Sequence, residues 1–513
     1  MKNIAIVGGG TAGWLTALYA HKMFPTDNIT LIESPEIGIL GAGEGSTPKL
    51  VEFFDFLEIP LEDFIKKTNS TLKVGIKFTN WAKENGHYYH NFEFPDSGIL
   101  SQNIFNLNTT QYFIPDIETE TIISLVDDIK YKNINNHIYD SNKIPFVFKD
   151  TILYNNNKIN DFIHYSGHSL HFDARLLANF LSEVGISRGI NVVQGKVLNV
   201  NSKNNKICSL DVEYNKNILT DFVFDCTGFA KLIIGKHYNS KWKTFSEYLP
   251  MKKALPFFLE IEKKEIPPYT EAIAMKYGWI WKIPLQNRYG CGYVFDSDYV
   301  SEEEIKKEIE DYFKITPEYP RKDKGAFSFD PGCFEEIWIE NCLAVGLSSG
   351  FLEPLEATSL GQALSILQSF FIQKHKIFSD DKTIKDVLNK KFVRETEYIV
   401  DFLSLHYTTN KNNSQFWTDF NQKNKKSKKL LENIHLLKNS ILTFKDTDYM
   451  FNQRNYYSVA FGNNIIDYKN IKKIYESHNL NIYKDILKYS NKVKSNVFSN
   501  FIKHSNFLKY MEE

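Results

Sequence analysis

The chain has 513 residues, enough for two or three domains or one large two-part fold, and 42% of them are hydrophobic. Its 61 basic and 62 acidic side chains leave a formal net charge of −1, which gives no electrostatic reason to expect nucleic acid or an anionic membrane as a partner. The five scattered cysteines, without CxxC or HExxH, argue against a disulfide framework and a metal site, and no apolar run could span a membrane, so we expect a cytoplasmic protein.

The N-terminus predicts a dinucleotide-binding unit. The stretch KNIAIVGGGTAGWLTALYAHKM reads as strand, glycine turn and helix, and Gly8, Gly10 and Gly13 satisfy GxGxxG. In this motif the first glycine permits the tight turn, the second lets the backbone approach a pyrophosphate, and the third lets the helix pack closely on the strand. The next predicted strand, NITLIE, ends at Glu33, where a ribose-binding acid is expected. A fortuitous glycine turn is the alternative.

The segment STLKVGIKF follows at positions 70–78, and in it apolar residues alternate with lysine or glycine from position 72 onward. The alternation predicts one strand with Lys73 and Lys77 on the same face. The ordinary interpretation is a half-buried strand whose lysines are solvated. The functional interpretation turns one ammonium toward an interior cavity, where it would act as a point-charge donor.

Two later segments, FVFDCTG and CLAVG, are short apolar strands that run into turns containing Gly228 and Gly346. With the N-terminal strand they predict one nucleotide-binding sheet interrupted by long insertions. This layout favours FAD over NAD, because an NAD domain is usually completed within one domain length. The predicted fold class is therefore α/β, an FAD-binding GxGxxG fold similar to flavoprotein monooxygenases, with a second, largely helical substrate-binding part.

The run GWIWKIP contains two tryptophans separated by one residue. In a strand, Trp279, Trp281 and Ile283 would point to one side and Ile280 and Lys282 to the other, and Pro284 would end the strand. The ordinary interpretation is an aromatic stripe in the core. The alternative is a wall that closes off a reaction chamber.

The stretch SSGFLEPLEATSL predicts a loop that leads into a helix. Amides at a helix start bind anions such as a phosphate or a halide. Ordinary capping by Thr358 or Ser359 is the alternative. Glu356 lies next to these amides and is a candidate general base or orienting carboxylate, with Glu353 as its competitor.

Together these motifs resemble the flavin-dependent halogenase family typified by the tryptophan halogenases. The family's WxWxIP motif, its xKxxIxFxxW strand and its PLE[SA]T segment match residues 279–284, 72–81 and 354–358. GxGxxG is shared by many flavoproteins, whereas WxWxIP with the lysine strand is specific to this family. The likeness covers roughly residues 1–420. The usual Glu-Ser-Thr-Gly appears here as Glu-Ala-Thr-Ser, a variant more like members that act on simple aromatic compounds.

The resemblance implies an FADH2-dependent halogenase. A flavin C4a-hydroperoxide and a halide (chloride, bromide or iodide) would yield hypohalous acid, which then halogenates an electron-rich, indole- or phenol-type aromatic substrate. Lys73 matches the catalytic lysine and Glu356 the second catalytic residue, while Thr358 and Ser359 match the halide site. Lys77 is the less favoured alternative to Lys73.

The resemblance also implies the remaining site residues and the partners. A tunnel that separates organic substrate from the flavin would be lined by Trp279, Trp281, Ile283 and Pro284. The stretch 38–48 matches a family segment that touches FAD, with a flexible surface loop as the alternative. The residues expected to bind FAD are Gly8, Gly10, Ala12, Gly13, Glu33, Gly41, Ala42, Gly43 and Leu347. The implied partners are a separate flavin reductase and a small aromatic substrate. Whether the protein forms a homo-oligomer stays open.

The predicted domains are an FAD-binding core, residues 1–360 with segment 85–165 inserted, and a mainly helical substrate-binding cap, residues 361–513. Two other functions stay open. A flavin-dependent aromatic monooxygenase would share the FAD layout but would not require Lys73 or the tryptophan pair. An FAD-binding protein without turnover is a different class of protein, and intact Lys73 and Glu356 argue against it.

Overall fold

The computed structural model divides into two compact units. Unit 1 comprises residues 1–70, 172–246 and 328–397, and unit 2 comprises residues 71–171, 247–327 and 398–513. The structure describes residues 1–36, 43–92, 139–149, 158–164, 167–214, 216–261, 266–321, 324–440, 442, 446–447, 450–466, 473 and 500–513.

Within these ranges the strands are, in chain order, β1 (Asn3–Val7), β2 (Asn28–Glu33), β3 (Glu44–Gly45), β4 (Thr71–Lys73), β5 (Gly75–Thr79), β6 (His87–Asn91), β7 (Phe146–Phe148), β8 (Phe162–His164), β9 (Ser169–Phe172), β10 (Asn191–Gln194), β11 (Val197–Lys203), β12 (Lys206–Val212), β13 (Lys216–Leu219), β14 (Phe222–Asp225), β15 (Trp242–Thr244), β16 (Lys253–Leu259), β17 (Thr270–Ala274), β18 (Gly278–Pro284), β19 (Tyr289–Phe295), β20 (Phe327–Ser328), β21 (Gly332–Phe334), β22 (Trp338–Ile339), β23 (Cys342–Ala344) and β24 (Gly350–Phe351). The α-helices are α1 (Thr11–Met23), α2 (Lys49–Phe56), α3 (Leu61–Thr68), α4 (Ala174–Ser187), α5 (Glu302–Phe313), α6 (Thr358–Ile372), α7 (Lys382–His406), α8 (Gln415–Lys423), α9 (Lys428–Asn439), α10 (Gln453–Gly462) and α11 (His504–Glu512). None of these helices is both long and apolar enough to cross a membrane.

Unit 1 is built on a sheet with the strand order β10-β2-β1-β14-β23-β22. All neighbours are parallel except β22 and β23. The three neighbouring strands β1, β14 and β23 are buried almost throughout, as expected for the middle of a parallel sheet covered on both faces. The strand ends that the sequence grouped together lie side by side, since Val7 pairs with Asp225 and Asp225 pairs with Ala344. The predicted interrupted α/β sheet is confirmed.

Unit 2 contains six strands of a seven-stranded sheet, in the order β16-β19-β18-β17-β5-β6. Strand β18, which carries the tryptophan pair, lies antiparallel between β17 and β19. One face of the sheet packs on α5 through a buried cluster that includes Phe257, Ile280, Tyr293 and Ile305. The sequence pattern placed Ile280 on the side opposite the tryptophans, and its place in this cluster agrees with that pattern.

The predicted single strand over residues 70–78 is in fact two strands. Strand β4 ends at Lys73 and β5 begins at Gly75, while the Val74 N–H donates to the Pro268 carbonyl at 2.8 Å. Strand β4 pairs with β9, whereas β5 pairs with β6 and β17. Lys73 and Lys77 therefore lie in different sheets, and the prediction of one strand with both lysines on one face is wrong.

The helical spacing of Leu430, Ile434, Leu437 and Ile441 in the sequence predicts a helix with these residues on one face. Helix α9 buries Leu430, Ile434 and Leu437. The fourth residue of this series, Ile441, lies outside the described residues. The domain division at residue 360 stays a prediction.

Candidate active site

The glycine turn after β1 has the geometry of a pyrophosphate cradle. The Gly8 N–H donates to the Ile32 carbonyl at 2.8 Å, and its φ of +122° with Cys226 close by admits only glycine, since a Cβ would lie 2.1 Å from the Cys226 oxygen. A Cβ on Gly13 would lie 1.8 Å from the Gly8 oxygen, so α1 packs closely on the turn. A Cβ on Gly10 would meet no atom within 4 Å, which leaves an approach for a ligand.

Helix α1 presents its first amides to this opening. Its N-cap residue, Gly10, provides no side-chain cap. The first amides of a helix have no intrahelical acceptor and lie at the positive end of its dipole, which suits a phosphate. Together with the room above Gly10, this geometry fits a dinucleotide.

Another predicted cofactor residue, Glu33, lies against the same turn. Gln194 donates to a Glu33 carboxylate oxygen at 2.7 Å, and a Cβ on Gly9 would lie 2.0 Å from the other oxygen. The Glu33 carboxylate is therefore beside the turn, where a ribose-binding acid belongs.

The turn that contains Leu347 packs on the start of α1. Gly346 has a φ of +70°, and a Cβ there would lie 2.7 Å from the Cβ of Ala12. In the stretch 38–48, Gly43 is buried with a φ of +75°. Gly41 and Ala42 lie outside the described residues.

Asp225 fixes the loop after β14, a role that the sequence did not reveal. One carboxylate oxygen accepts from the Thr227 amide at 3.1 Å and hydroxyl at 2.7 Å, and the other accepts from the amides of Ile233 at 2.9 Å and Ile234 at 2.8 Å. Its side chain is 0% exposed. An acid at the carboxyl end of a buried parallel strand was the signal that could have identified it.

The predicted halide segment forms a helix start without a side-chain cap. Helix α6 begins at Thr358, and its N-cap is Ala357, whose side chain makes no capping bond. The alternative in which Thr358 or Ser359 caps the helix is therefore wrong. Both residues lie in the first turn, where amides lack intrahelical acceptors and favour an anion.

The turn before α6 is strained. Glu356 has a φ of +65° and Ala357 a φ of +54°, and the Ala357 N–H donates to the Pro354 carbonyl at 3.0 Å. Left-handed conformations of such residues cost about 1–3 kcal/mol each and cluster at functional sites. Glu356 is 2% exposed and Glu353 is 0% exposed, so burial does not distinguish the two candidate carboxyls. The strained backbone favours Glu356.

Lys73 lies on β4 of unit 2 and is fully buried. Its side chain is 0% exposed, and its Nζ lies 4.9 Å from the ring centroid of Phe92, within cation–π range. The interpretation as a solvated lysine is therefore wrong for Lys73. Lys77 is half-buried and lies 3.5 Å from a carboxylate oxygen of Asp140, whose side chain is 42% exposed. Of the two lysines, only Lys73 has the enclosed environment that the functional interpretation requires.

The tryptophan pair occupies one side of β18. Trp279 and Trp281 are buried, and their ring centroids are 6.4 Å apart. Gly292 lies opposite Trp281 in register, and a Cβ there would lie 2.0 Å from the indole, so this glycine makes room for the ring. Ile283 and Pro284 complete the strand and are also buried.

The Trp279 indole differs from an ordinary core residue. Its Nε1–H is buried and has no acceptor among the described residues. Leaving such a donor without a partner costs about 1–3 kcal/mol. A core stripe selected only for stability would satisfy or avoid this donor.

The predicted site residues are thus distributed over both units. Unit 1 holds the glycine turn, Glu33, Leu347, Glu356 and the start of α6, and unit 2 holds Lys73 and the tryptophan pair. The roles assigned to these residues stay predictions.

Two buried histidines of unit 2 predict a loss of stability in mild acid. Burial, the Lys73 charge and His504 hold the pKa of His171 well below its usual value, and burial lowers the pKa of His504 to about 4. Both histidines bind a proton more readily in the unfolded chain than in the folded one. The free energy of unfolding is therefore highest above pH 6.5, and it falls as the pH decreases toward 4. The expected slope is about 1.4 kcal/mol per pH unit for each histidine.

Urea midpoints measured between pH 7.5 and pH 4.5 would test this expectation. A His504→Gln variant should show a shallower loss than the wild type, since one titrating group has been removed while a hydrogen-bond acceptor is kept. A midpoint that stays constant below pH 6.5, or equal slopes in the two proteins, would contradict the prediction.

Comparison with known proteins gave consistent matches. The family model described as tryptophan halogenase matches residues 3–476. The tryptophan 7-halogenase RebH of Lentzea aerocolonigenes is 32% identical over 441 residues, covering 81% of this chain and 78% of RebH. The tryptophan 6-halogenase SttH of Streptomyces toxytricini is 31% identical over 430 residues, covering 81% of this chain and 80% of SttH. Among solved structures, Tar14, a tryptophan C-6 flavin-dependent chlorinase from taromycin biosynthesis, superposes with a TM-score of 0.84 at 25% identity over 100% of both chains.

Proposed function

The chain belongs to the tryptophan halogenase family, and we propose that it uses reduced FAD, oxygen and a halide to halogenate an electron-rich aromatic ring of indole or phenol type. The observation that carries this proposal is the fully buried Lys73 on β4, at the position of the family's catalytic lysine. A fully buried lysine is rare in proteins, and its enclosure here is what a donor to hypohalous acid would require. FAD binding without turnover would not require it.

The cofactor would be held by the glycine turn of unit 1. Amides around Gly10 and Gly13 would bind the pyrophosphate, and Glu33 would accept hydrogen bonds from the ribose hydroxyls. Further contacts would come from Ala12, Gly41, Ala42, Gly43 and Leu347. When bound, reduced FAD would supply the two electrons that bring oxygen to the peroxide oxidation level, at which it can take two electrons from the halide. We propose that a separate flavin reductase delivers it.

The halide would bind at the start of α6. The amides of Thr358 and Ser359 lie at the positive end of the helix dipole, where a monovalent anion is stabilised. Ser359 stands where the family usually has glycine. Ser359 lies in the first turn of α6 and its φ is not positive, so the backbone at this position accepts a serine.

Lys73 would present the oxidised halogen to the ring. A charged ammonium has only donors, so it can bind the oxygen of hypohalous acid but cannot accept the ring proton. The ring carbon bonds to the halogen as the halogen–oxygen bond breaks, and the departing hydroxide takes a proton from the Lys73 ammonium to become water; Lys73 regains a proton from solvent and Glu356 releases one to it. Glu356 would take the proton lost from the ring. The sum is aromatic C–H plus hypohalous acid giving aromatic C–halogen plus water.

The tryptophan pair would determine which reaction occurs. Trp279 and Trp281, with Ile283 and Pro284, form a buried aromatic wall on β18. We propose that this wall keeps the organic substrate away from the flavin while the smaller oxidant passes. Direct oxygen transfer to the substrate would then be suppressed.

Reconstitution tests the proposal. Purified protein is incubated with FAD, a flavin reductase, NADH, a mixture of chloride, bromide and iodide, and a panel of indoles, phenols and free tryptophan. We expect mass spectrometry to detect a halogenated aromatic product that disappears when halide is omitted. Chemically reduced FAD should replace the reductase. Hydroxylated product that is independent of halide would favour the monooxygenase, and neither product nor trapped oxidant would contradict the proposal.

A further inference from the structure

The strand that carries Lys73 takes part in a buried hydrogen-bond chain. Thr71 and His171 are directly opposite each other in the antiparallel pair of β4 and β9, so their side chains share a face of that pair. Lys73 follows Thr71 by two residues and lies on the same face. All three side chains are 0% exposed.

The acceptor at one end of this hydrogen-bond chain sets the direction of its first two hydrogen bonds. Thr71 donates its hydroxyl proton to the Pro284 carbonyl at 2.7 Å, because a carbonyl can only accept. With that proton used, Thr71 accepts from His171 Nδ1 at 3.0 Å. Burial and the Lys73 charge hold the pKa of His171 well below its usual value, so the ring is neutral near pH 7. With the proton on Nδ1, Nε2 carries a lone pair and accepts from the Thr270 hydroxyl at 2.9 Å. The chain runs from Thr270 through His171 and Thr71 to Pro284.

A second histidine holds the backbone of the same strand. The Leu72 N–H donates to His504 Nε2 at 3.0 Å, so this nitrogen is unprotonated. His504 Nδ1 then donates to the Ile266 carbonyl at 3.0 Å. Both ring nitrogens of both histidines are thus occupied, and each ring is neutral in one tautomer. A protonated His171 would add a second positive charge on the face of Lys73.

We propose that His171 and His504 are positioning residues that hold β4, and with it the ammonium of Lys73, in one place relative to β17 and β18. Strand β4 has only three residues and ends at Lys73, so its own ladder offers little restraint. The chain ends at the Pro284 carbonyl, which cannot pass a proton on, so it positions Lys73 and does not conduct protons. This inference rests on the proposed function.

Substitutions at Thr71 test the chain with matched variants. Thr71→Val keeps the shape but removes both hydrogen bonds, whereas Thr71→Ser keeps the hydroxyl. We measure total oxidant with a small diffusible enol trap, and halogenated product by mass spectrometry. In Thr71→Val, oxidant should stay within about twofold of the wild type, while product per oxidant falls at least about tenfold, since small displacements of a catalytic group are costly. Thr71→Ser should recover to within about threefold.

His504 supplies an independent pair. His504→Leu should lower product per oxidant in the same way, and His504→Gln, which can still accept from the Leu72 N–H, should restore most of it. Unchanged product per oxidant in Thr71→Val and His504→Leu overturns the inference. Parallel loss of oxidant and product, or no recovery in Thr71→Ser, also overturns it. These hydrogen bonds would then stabilise the fold as a whole and would not position Lys73 specifically. Absence of oxidant in the wild type would instead overturn the proposed function.

Discussion

Replacing Lys73 by methionine should lower the yield of halogenated product by about 10²–10³-fold, the usual cost of losing one preorganised donor to a reacting oxygen. Methionine has a similar length and no charge, so it fills the space without a buried ionic group. The cation–π contact with Phe92 is lost, but the apolar contacts can be kept. Oxidant captured by the enol trap should stay within about threefold of the wild type, because halide oxidation is proposed to depend on unit 1.

Lys77→Met is the matched control. Lys77 occupies the same alternating pattern in the sequence, but it is half-buried and paired with Asp140. Surface ion pairs contribute about 0–1 kcal/mol, so the variant should fold and should halogenate at close to the wild-type rate. Product formation that survives in Lys73→Met, or is lost only in Lys77→Met, would show that the catalytic lysine has been misassigned.

The nucleotide-binding half could be predicted because its signals are local. Gly8, Gly10 and Gly13 occur within one strand–turn–helix segment, and each glycine has a steric reason that involves its immediate surroundings. The later strands that end at Asp225 and Ala344 could also be predicted, because each is a short apolar run followed by a glycine-containing turn. Parallel sheets bring such strand ends together at one edge, so their assembly followed from the pattern.

The surroundings of Lys73 could not be predicted in the same way. The apolar alternation continues through Val74, although the chain there changes from one sheet to another. The acceptor for the Leu72 N–H is His504, separated by 432 residues in the sequence. Periodicity reports which face of a strand is apolar, but it contains no information on the partner strand or on long-range hydrogen bonds.

The strained backbone before α6 could likewise not be predicted from the residue types there. Left-handed backbone is usually signalled by glycine or asparagine, and here Glu356 and Ala357 adopt it. Residue type alone also leaves Glu353 and Glu356 as competing candidates for the catalytic carboxylate. The backbone distinguishes them, because Glu356 has a positive φ and Glu353 does not.

Glu356→Gln should therefore reduce halogenation by about 10²–10⁴-fold, the range for losing a general base, with little change in trapped oxidant. Glutamine keeps the side-chain length and a polar terminus, so the turn has no new steric reason to rearrange. A substrate deuterated on its aromatic ring gives the sharper readout. If Glu356 takes the ring proton, its loss makes that proton transfer slow, and a primary isotope effect absent from the wild type should appear in the variant.

Glu353→Gln is the control for burial and charge, because Glu353 is equally enclosed and lies three residues earlier on the same segment. It should keep a rate within about threefold of the wild type and show no isotope effect. The reverse pattern would assign the base to Glu353. Equal losses of oxidant and product in both variants would mean that the segment supports halide oxidation, and the strained turn would then serve the anion site at the start of α6 rather than proton removal.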